Sequence, residues 1–152
     1  MTTSMHAKSE RLFKAPMLGL RTGSKIFMHL FSDYRVIGRA NVPKPPFLLT
    51  CNHLAFWDAP AIAGAVNYVT PGFSAKKYKG KLTGLLLKLG SPVWIEQDAP
   101  DRRALMTALK ILEGGDLFAV APEGHRSKGS LTLGQEGVAF MATRANVPIL
   151  PI

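Results

Sequence analysis

A histidine and an aspartate five residues apart, His53 and Asp58, directly follow the apolar run of residues 47–51. A neutral imidazole, with an ordinary pKa of about 6.5, can take a proton from a hydroxyl group at neutral pH. A carboxylate bonded to the other ring nitrogen fixes the tautomer and stabilises the imidazolium. The pair is therefore a candidate general base with its orienting group. Asp58 is also a candidate N-cap, because Pro60 suits the first turn of a following helix.

A second polar cluster, residues 122–127, follows another apolar run. Gly124 would let the backbone approach a ligand closely. Arg126 can form a fork of hydrogen bonds with a phosphate or carboxylate, and Glu123 can bind a hydroxyl or order the loop. A surface turn rich in proline, glycine and serine is the alternative interpretation of this cluster.

The bulk composition describes one globular domain that interacts with anions. A chain of 152 residues with 47% hydrophobic and 19% charged residues can bury a core and is not disordered. The single cysteine, Cys51, excludes an intrachain disulfide framework and a cysteine-rich zinc site. A net charge of +9 favours binding to nucleic acid, anionic lipid or phosphorylated substrates, without choosing among them.

The N-terminal region, residues 1–34, is expected to be a polar tail followed by a helix. No signal peptide is evident in residues 1–15, and no uncharged apolar run reaches the 18 residues of a transmembrane helix. Residues 11–31 combine apolar side chains with arginine and lysine, which predicts a basic amphipathic helix. That helix could lie on anionic lipid or pack on its own domain.

The remainder, residues 35–152, alternates short apolar runs with helical patterns. This alternation predicts an α/β fold with a twisted, mainly parallel sheet flanked by helices. In such sheets ligands bind at the carboxyl ends of the strands, where His53 and Glu123 both lie. The last apolar run, residues 147–152, predicts a strand without a following cover, and we expect that the core continues beyond it.

The motifs and their order resemble those of the glycerolipid acyltransferase family. Residues 52–58 resemble its first motif, a histidine and an aspartate separated by four residues, and residues 122–127 resemble its third, usually Phe-Pro-Glu-Gly-Thr-Arg-Ser. Residues 90–97 occupy the place of the second motif, and residues 147–151 are similar to the fourth. The agreement runs from about residue 35 to the end of the chain.

The resemblance implies transfer of a fatty acyl group from acyl-CoA or acyl-carrier protein to the hydroxyl of a lysophospholipid, with 1-acylglycerol-3-phosphate as the first choice. Another lysolipid, or an acceptor without a phosphate, is the alternative. It implies that His53 is the general base and that Asp58 orients it. The substrate-binding residues that it implies are Asn52, Lys76, Glu123, Gly124, Arg126 and Ser127.

The same resemblance sets the expected partners and location. It implies no metal and no cofactor besides the acyl thioester, which is a co-substrate. The expected partners are the thioester donor, the lysolipid acceptor, an anionic membrane surface and, as an alternative donor, acyl-carrier protein, but not nucleic acid. The expected location is peripheral or monotopic on the cytoplasmic face of a membrane.

Three positions depart from the family pattern. Gln97 stands where the second motif usually has an arginine that contacts phosphate, and Arg102 or Arg103 could compensate. In the third motif, Ala121 replaces an aromatic residue and His125 replaces a threonine. These departures affect the identity of the acceptor more than they affect acyl transfer.

The sequence by itself is also compatible with other functions. Cys51 and His53 could form a nucleophile and its base, although a buried strand cysteine is usually inert packing. Asp58, Glu123 and His125 could join His53 in a zinc site, but the spacing matches no common pattern. The alternation of lysine and tyrosine in residues 76–81 is typical of nucleic-acid-binding proteins as well as of membrane surfaces. A structural lipid-binding protein would explain the charge but not the histidine–aspartate pair.

Overall fold

The computed structural model describes residues 18–55, 57–66, 68, 70–88, 90–97, 99–124, 134 and 136–152. Its first helix, α1, occupies residues 18–31. The earlier part of the predicted amphipathic helix, residues 11–17, lies outside the described residues. Four further helices follow: α2 (Asp58–Ala65), α3 (Leu82–Lys88), α4 (Arg102–Glu113) and α5 (Gly137–Ala145).

The described strands are short and all of their pairings are parallel. They are β1 (Leu48–Thr50), β2 (Phe73–Ala75), β3 (Val93–Ile95), β4 (Phe118–Val120) and β5 (Ile149–Pro151). Strand β1 lies between β4 and β5, and β2 pairs with β3. A parallel bridge between Gly72 and Ala119 joins the two sheets. The predicted parallel α/β architecture is therefore confirmed.

Glycine is needed where β2 approaches β4. A Cβ atom on Gly72 would lie only 3.0 Å from the carbonyl oxygen of Ala119. Any larger residue at position 72 would push these two segments of the chain apart at the bridge. The close approach places β2 between β3 and β4, so the loops after all of these strands leave the same edge.

Both faces of the sheet are buried. Leu48 and Phe118 pack on one face with the apolar stripes of α4 and α5, which include Leu112 and Met141. The opposite face carries a second cluster made by Phe47, Leu49, Val66 and Leu117. Burial on both faces explains why the strand sequences are continuously apolar rather than alternating.

Helix α4 shows how the local sequence fixes an element. Its N-cap is Asp101, whose side chain accepts a hydrogen bond from the backbone N–H of Ala104 at 3.0 Å. The chain leaves the helix through Gly115, which has the left-handed φ of 90° that glycine tolerates. A 3-10 turn, Arg39–Asn41, precedes the first strand.

Helix α1 packs on the domain with one side and exposes apolar side chains with the other. Ser24 is buried, and a Cβ atom on Gly64 of α2 would lie 3.3 Å from the Cα of Lys25. Leu30 and Phe31 are nevertheless 72% and 73% exposed. Among the residues described, none of the helices combines the length and the apolar character needed to cross a bilayer.

Leu48, a fully buried leucine of β1, should contribute strongly to the free energy of unfolding. Leu48→Ala should lower the free energy of unfolding by about 2–5 kcal/mol, because it leaves a cavity between the sheet and α4. The matched change Leu82→Ala, at a side chain that is 79% exposed, should alter it by less than about 0.5 kcal/mol. Urea denaturation followed by circular dichroism measures both, and equal losses would contradict the assignment of the core.

Candidate active site

The chain leaves β1 at the carboxyl edge of the sheet and enters α2 at Asp58. In this loop the Nδ1 nitrogen of His53 lies 2.9 Å from the Oδ2 oxygen of Asp58. Both side chains are partly exposed, at 32% and 24%. The structure therefore brings together the two residues that the sequence selected, in a geometry where Nδ1–H donates to the carboxylate.

The same carboxylate oxygen closes the loop. Oδ2 of Asp58 also accepts the backbone N–H groups of Leu54 at 2.7 Å and Ala55 at 2.8 Å. Burial acts to raise the pKa of Asp58, but these hydrogen bonds and the one from His53 outweigh burial and lower it. Asp58 therefore stays ionised at neutral pH beside the imidazole.

The predicted N-cap role of Asp58 is wrong. The helix begins at Asp58 itself, Trp57 occupies the cap position, and no side chain caps the helix there. The carboxylate points back to residues that precede the helix, so it is not available to the N–H groups of the first turn. Its negative charge in the first turn still interacts favourably with the helix dipole.

Cys51 is held in its neutral thiol form. Burial first, and then the negative charges of Asp58 and Glu123, raise the pKa of its thiol to about 11. A thiol with such a pKa is almost entirely protonated at neutral pH, which argues against the cysteine nucleophile. The influence of both carboxylates also shows that the first and third motifs converge around this residue.

Glu123 lies in a turn after β4 and is only 1% exposed. The turn is closed by the N–H of Gly124, which donates to the carbonyl of Ala121 at 3.1 Å, and Gly124 has a φ of 71°. Neither carboxylate oxygen of Glu123 has a hydrogen-bond partner among the described residues. A buried polar group without a partner is rare and points to a ligand-binding role.

Gln97, which stands where the family usually has an arginine, makes a contact that the sequence did not predict. The side-chain Nε2 of Gln97 donates to the carbonyl of Gly124 at 3.1 Å, which joins the loop after β3 to the turn after β4. From the sequence, Gln97 was only a departure from the family pattern. An amide at the carboxyl end of a parallel strand, facing a glycine-rich turn, is the signal that could have suggested this bond.

Lys76 is already engaged in an ion pair. Its Nζ lies 2.7 Å from Oδ2 of Asp101 and 3.6 Å from Glu96. The hydrogen bond from Lys76 is the largest contribution that lowers the pKa of Asp101 to about 2, and the same bond raises the pKa of Lys76. Any phosphate that binds Lys76 must compete with these carboxylates.

Of the remaining candidate residues, the structure describes Asn52. Asn52 is exposed beside His53. Arg126, Ser127 and His125 lie outside the described residues. Where the chain is described, no group of three or more histidine, cysteine, aspartate or glutamate side chains could hold a metal ion.

An aromatic contact at the loop after β1 was not predicted from the sequence. Trp57, which is 53% exposed, stacks on Phe27 of α1 with ring centroids 5.4 Å apart and an interplanar angle of 18°. Phe31 continues the contact at 4.7 Å from Phe27. An aromatic residue directly before Asp58 was the available signal. The contact connects α1 to the loop that carries His53.

The fold and the site define a class of protein: a parallel α/β protein with a hydrogen-bonded histidine–aspartate pair at the carboxyl edge of its sheet. The family model described as Acyltransferase matches residues 33–152. The chain belongs to this acyltransferase family, as the motifs predicted.

Two relatives agree with this assignment. The chain is 22% identical over 130 residues to the 1-acyl-sn-glycerol-3-phosphate acyltransferase of Bacillus subtilis (strain 168), a match that covers 84% of this chain and 65% of the relative. It superposes with a TM-score of 0.76 on the crystal structure of the 1-acyl-sn-glycerophosphate (LPA) acyltransferase PlsC from Thermotoga maritima, at 28% identity. That superposition covers 94% of this chain and 59% of the other, so the chain spans less than two thirds of either relative.

Alkylation of the single cysteine tests the site without an activity assay. At pH 8, iodoacetamide should modify Cys51 roughly 100-fold more slowly than a small-molecule thiol, because the thiolate fraction is correspondingly smaller. The rate should rise about tenfold per pH unit up to the thiol's pKa.

Removing one neighbouring charge should change this rate. Glu123→Gln should accelerate alkylation by lowering the pKa of Cys51, whereas the control Glu113→Gln, at the end of α4, should have no effect. Mass spectrometry measures the rates. Modification as fast as that of an ordinary thiol would contradict the assigned environment of Cys51.

Proposed function

We propose that this chain carries the active site of an enzyme that transfers a fatty acyl group from an acyl thioester to the hydroxyl of a lysophospholipid. The first acceptor that we propose is 1-acylglycerol-3-phosphate, the substrate in the names of both relatives. The observation that supports the reaction best is the 2.9 Å hydrogen bond between His53 and Asp58. It prepares a base at the edge of the sheet where substrates bind.

The hydrogen bond determines which ring nitrogen acts. With Nδ1–H donating to Asp58, the neutral imidazole of His53 carries its lone pair on Nε2. This nitrogen takes the proton of the acceptor hydroxyl while the oxygen attacks the thioester carbon. The carbon–oxygen bond forms, the carbon–sulfur bond breaks, and the imidazolium returns the proton to the leaving thiolate. The ionised Asp58 stabilises the imidazolium between these steps.

The surroundings of the pair support direct transfer to the acceptor. The neutral thiol of Cys51 disfavours an acyl-cysteine intermediate. The N–H groups of Leu54 and Ala55 are occupied by Asp58, so backbone donors elsewhere must stabilise the negative charge that develops on the carbonyl oxygen.

The third motif and its neighbours are proposed to hold the acceptor. Glu123, Gly124, Arg126 and Ser127 would bind its glycerol-phosphate end, with Asn52 beside the base. The buried carboxylate of Glu123, which has no hydrogen-bond partner in the part of the chain that the structure describes, suits an acceptor hydroxyl. Lys76 would contact the phosphate with an N–H group that does not bond to Asp101.

The apolar side of α1 is proposed to lie on the cytoplasmic face of a membrane. Exposed Leu30 and Phe31 would enter the interface, while the net charge of +9 favours an anionic lipid surface. The donor would reach the site as acyl-CoA or on acyl-carrier protein. The acidic surface of the carrier protein would suit the same positive charge.

Removal of the proposed base tests the reaction. His53→Ala should lower the rate of labelled acyl transfer to 1-acylglycerol-3-phosphate by about 10²–10⁴-fold while leaving the circular dichroism spectrum unchanged. His29→Ala is the matched control, because His29 lies on α1, where its ring nitrogen bonds to the carbonyl of Lys25 and its ring contacts the edge of Tyr34. Near-normal turnover of the His53 variant would refute the mechanism.

A panel of acceptors and donors tests substrate identity. Arg126→Ala should raise the acceptor KM about 10- to 100-fold for lysolipids that carry the phosphate, since a charged hydrogen-bonding partner is lost. It should change the KM for monoacylglycerol much less. Initial rates with acyl-CoA and acyl-carrier protein provide the comparison. An effect confined to the donor would reassign Arg126.

A further inference from the structure

The loop after β3 and the turn after β4 are linked across the sheet by one side chain. Because β2 separates β3 from β4, the two strands lie about two strand spacings, or roughly 9–10 Å, apart. No backbone ladder connects their carboxyl ends over that distance. The hydrogen bond from Nε2 of Gln97 to the carbonyl of Gly124 crosses this gap at 3.1 Å.

The hydrogen bond from Gln97 is made to the Ala121–Gly124 turn, and the shape of this turn sets the position of Glu123. The N–H of Gly124 already donates to Ala121, so the turn is closed from inside, and Gln97 holds the outward carbonyl of the same glycine. Glu123 lies between these two bonded residues and is fully buried. A shift of the turn would therefore move the carboxylate that stands close to Cys51 and the His53 loop.

Electrostatic interactions with the neighbouring charged side chains do not explain why residue 97 is a glutamine. The amide is neutral, and the nearby Lys76 is compensated by Asp101 and Glu96. An arginine at this position would carry a charge for a phosphate, whereas Gln97 can contribute only hydrogen bonds. One of these bonds is made within the protein, to the backbone of the third motif.

We propose that Gln97 is a positioning residue, which holds the Ala121–Gly124 turn and its Glu123 in register with His53 through the bond to the Gly124 carbonyl. The inference rests on the proposed acyl transfer and deepens it. It predicts that the loss of this donor impairs turnover for every acceptor, with or without a phosphate.

Three substitutions at Gln97 distinguish the effect of losing the hydrogen-bond donor from the effects of changing charge and size. Gln97→Glu keeps the shape and one oxygen but loses the donor, and Gln97→Ala removes the whole group. Both should lower kcat at least about tenfold with phosphate-bearing and neutral acceptors alike, because a small misplacement of the turn is costly. Gln97→Arg restores a donor and should keep kcat close to that of the unmodified protein.

Thr107→Ala provides the matched control. Thr107 Oγ1 donates to the carbonyl of Arg103 at 2.8 Å on the exposed side of α4, so its removal costs a similar side-chain bond away from the site. Normal kcat in Gln97→Ala, or a loss confined to the KM of phosphate-bearing acceptors, would overturn the positioning role. Retention of activity by Gln97→Glu would instead indicate direct acceptor binding through the shared oxygen and would equally overturn it.

Hydrogen exchange gives a measurement that does not depend on activity. In Gln97→Ala and Gln97→Glu, amides of residues 117–124 should exchange faster, while Thr107→Ala should leave them unchanged. Unchanged exchange in both Gln97 variants would refute the inference even if turnover fell. If the unmodified protein acylated no lysolipid, the proposed function would fail, and exchange would still decide whether Gln97 holds the turn.

Discussion

A single carboxylate oxygen organises the loop on which the proposed chemistry depends. Oδ2 of Asp58 accepts hydrogen bonds from the ring of His53 and from the backbone of Leu54 and Ala55. These bonds shape the loop, select the imidazole tautomer and keep the carboxylate ionised, because each of them favours its charged form. Since α2 begins at Asp58, the loop is also anchored to a helix that packs on the sheet.

Parallel pairing places the other groups around this loop. In the register of the sheet, Thr50 of β1 lies beside Val120 of β4, so the chains that follow them leave at the same level. The N–H of Cys51 donates to the carbonyl of Val120 at 3.4 Å and extends that contact by one residue. The thiol consequently lies close to both Asp58 and Glu123, and its pKa is raised first by burial and then by the charges of these two loops, which meet at one strand end.

The carboxyl edge differs in charge and polarity from one side to the other. Near β3, Lys76 is neutralised by Asp101, and the neutral Gln97 bonds to Gly124. Near α1, the exposed rings of Trp57 and Phe27 stack beside the His53 loop. The proposed lipid acceptor has a polar end and an apolar chain, and these two sides of the edge differ in the same way.

Short-range information in the sequence determined the elements and the class of reaction. The apolar runs specified buried parallel strands, Asp101 and Gly115 marked the ends of α4, and the spacing of His53 and Asp58 indicated a base with its partner. Only the tertiary structure decided what depends on partners far apart in the chain. Lys76 pairs with Asp101 across 25 residues. The bond from Gln97 to Gly124 spans 27. The physical reason is that periodicity and capping are local, whereas these contacts depend on strand order and register.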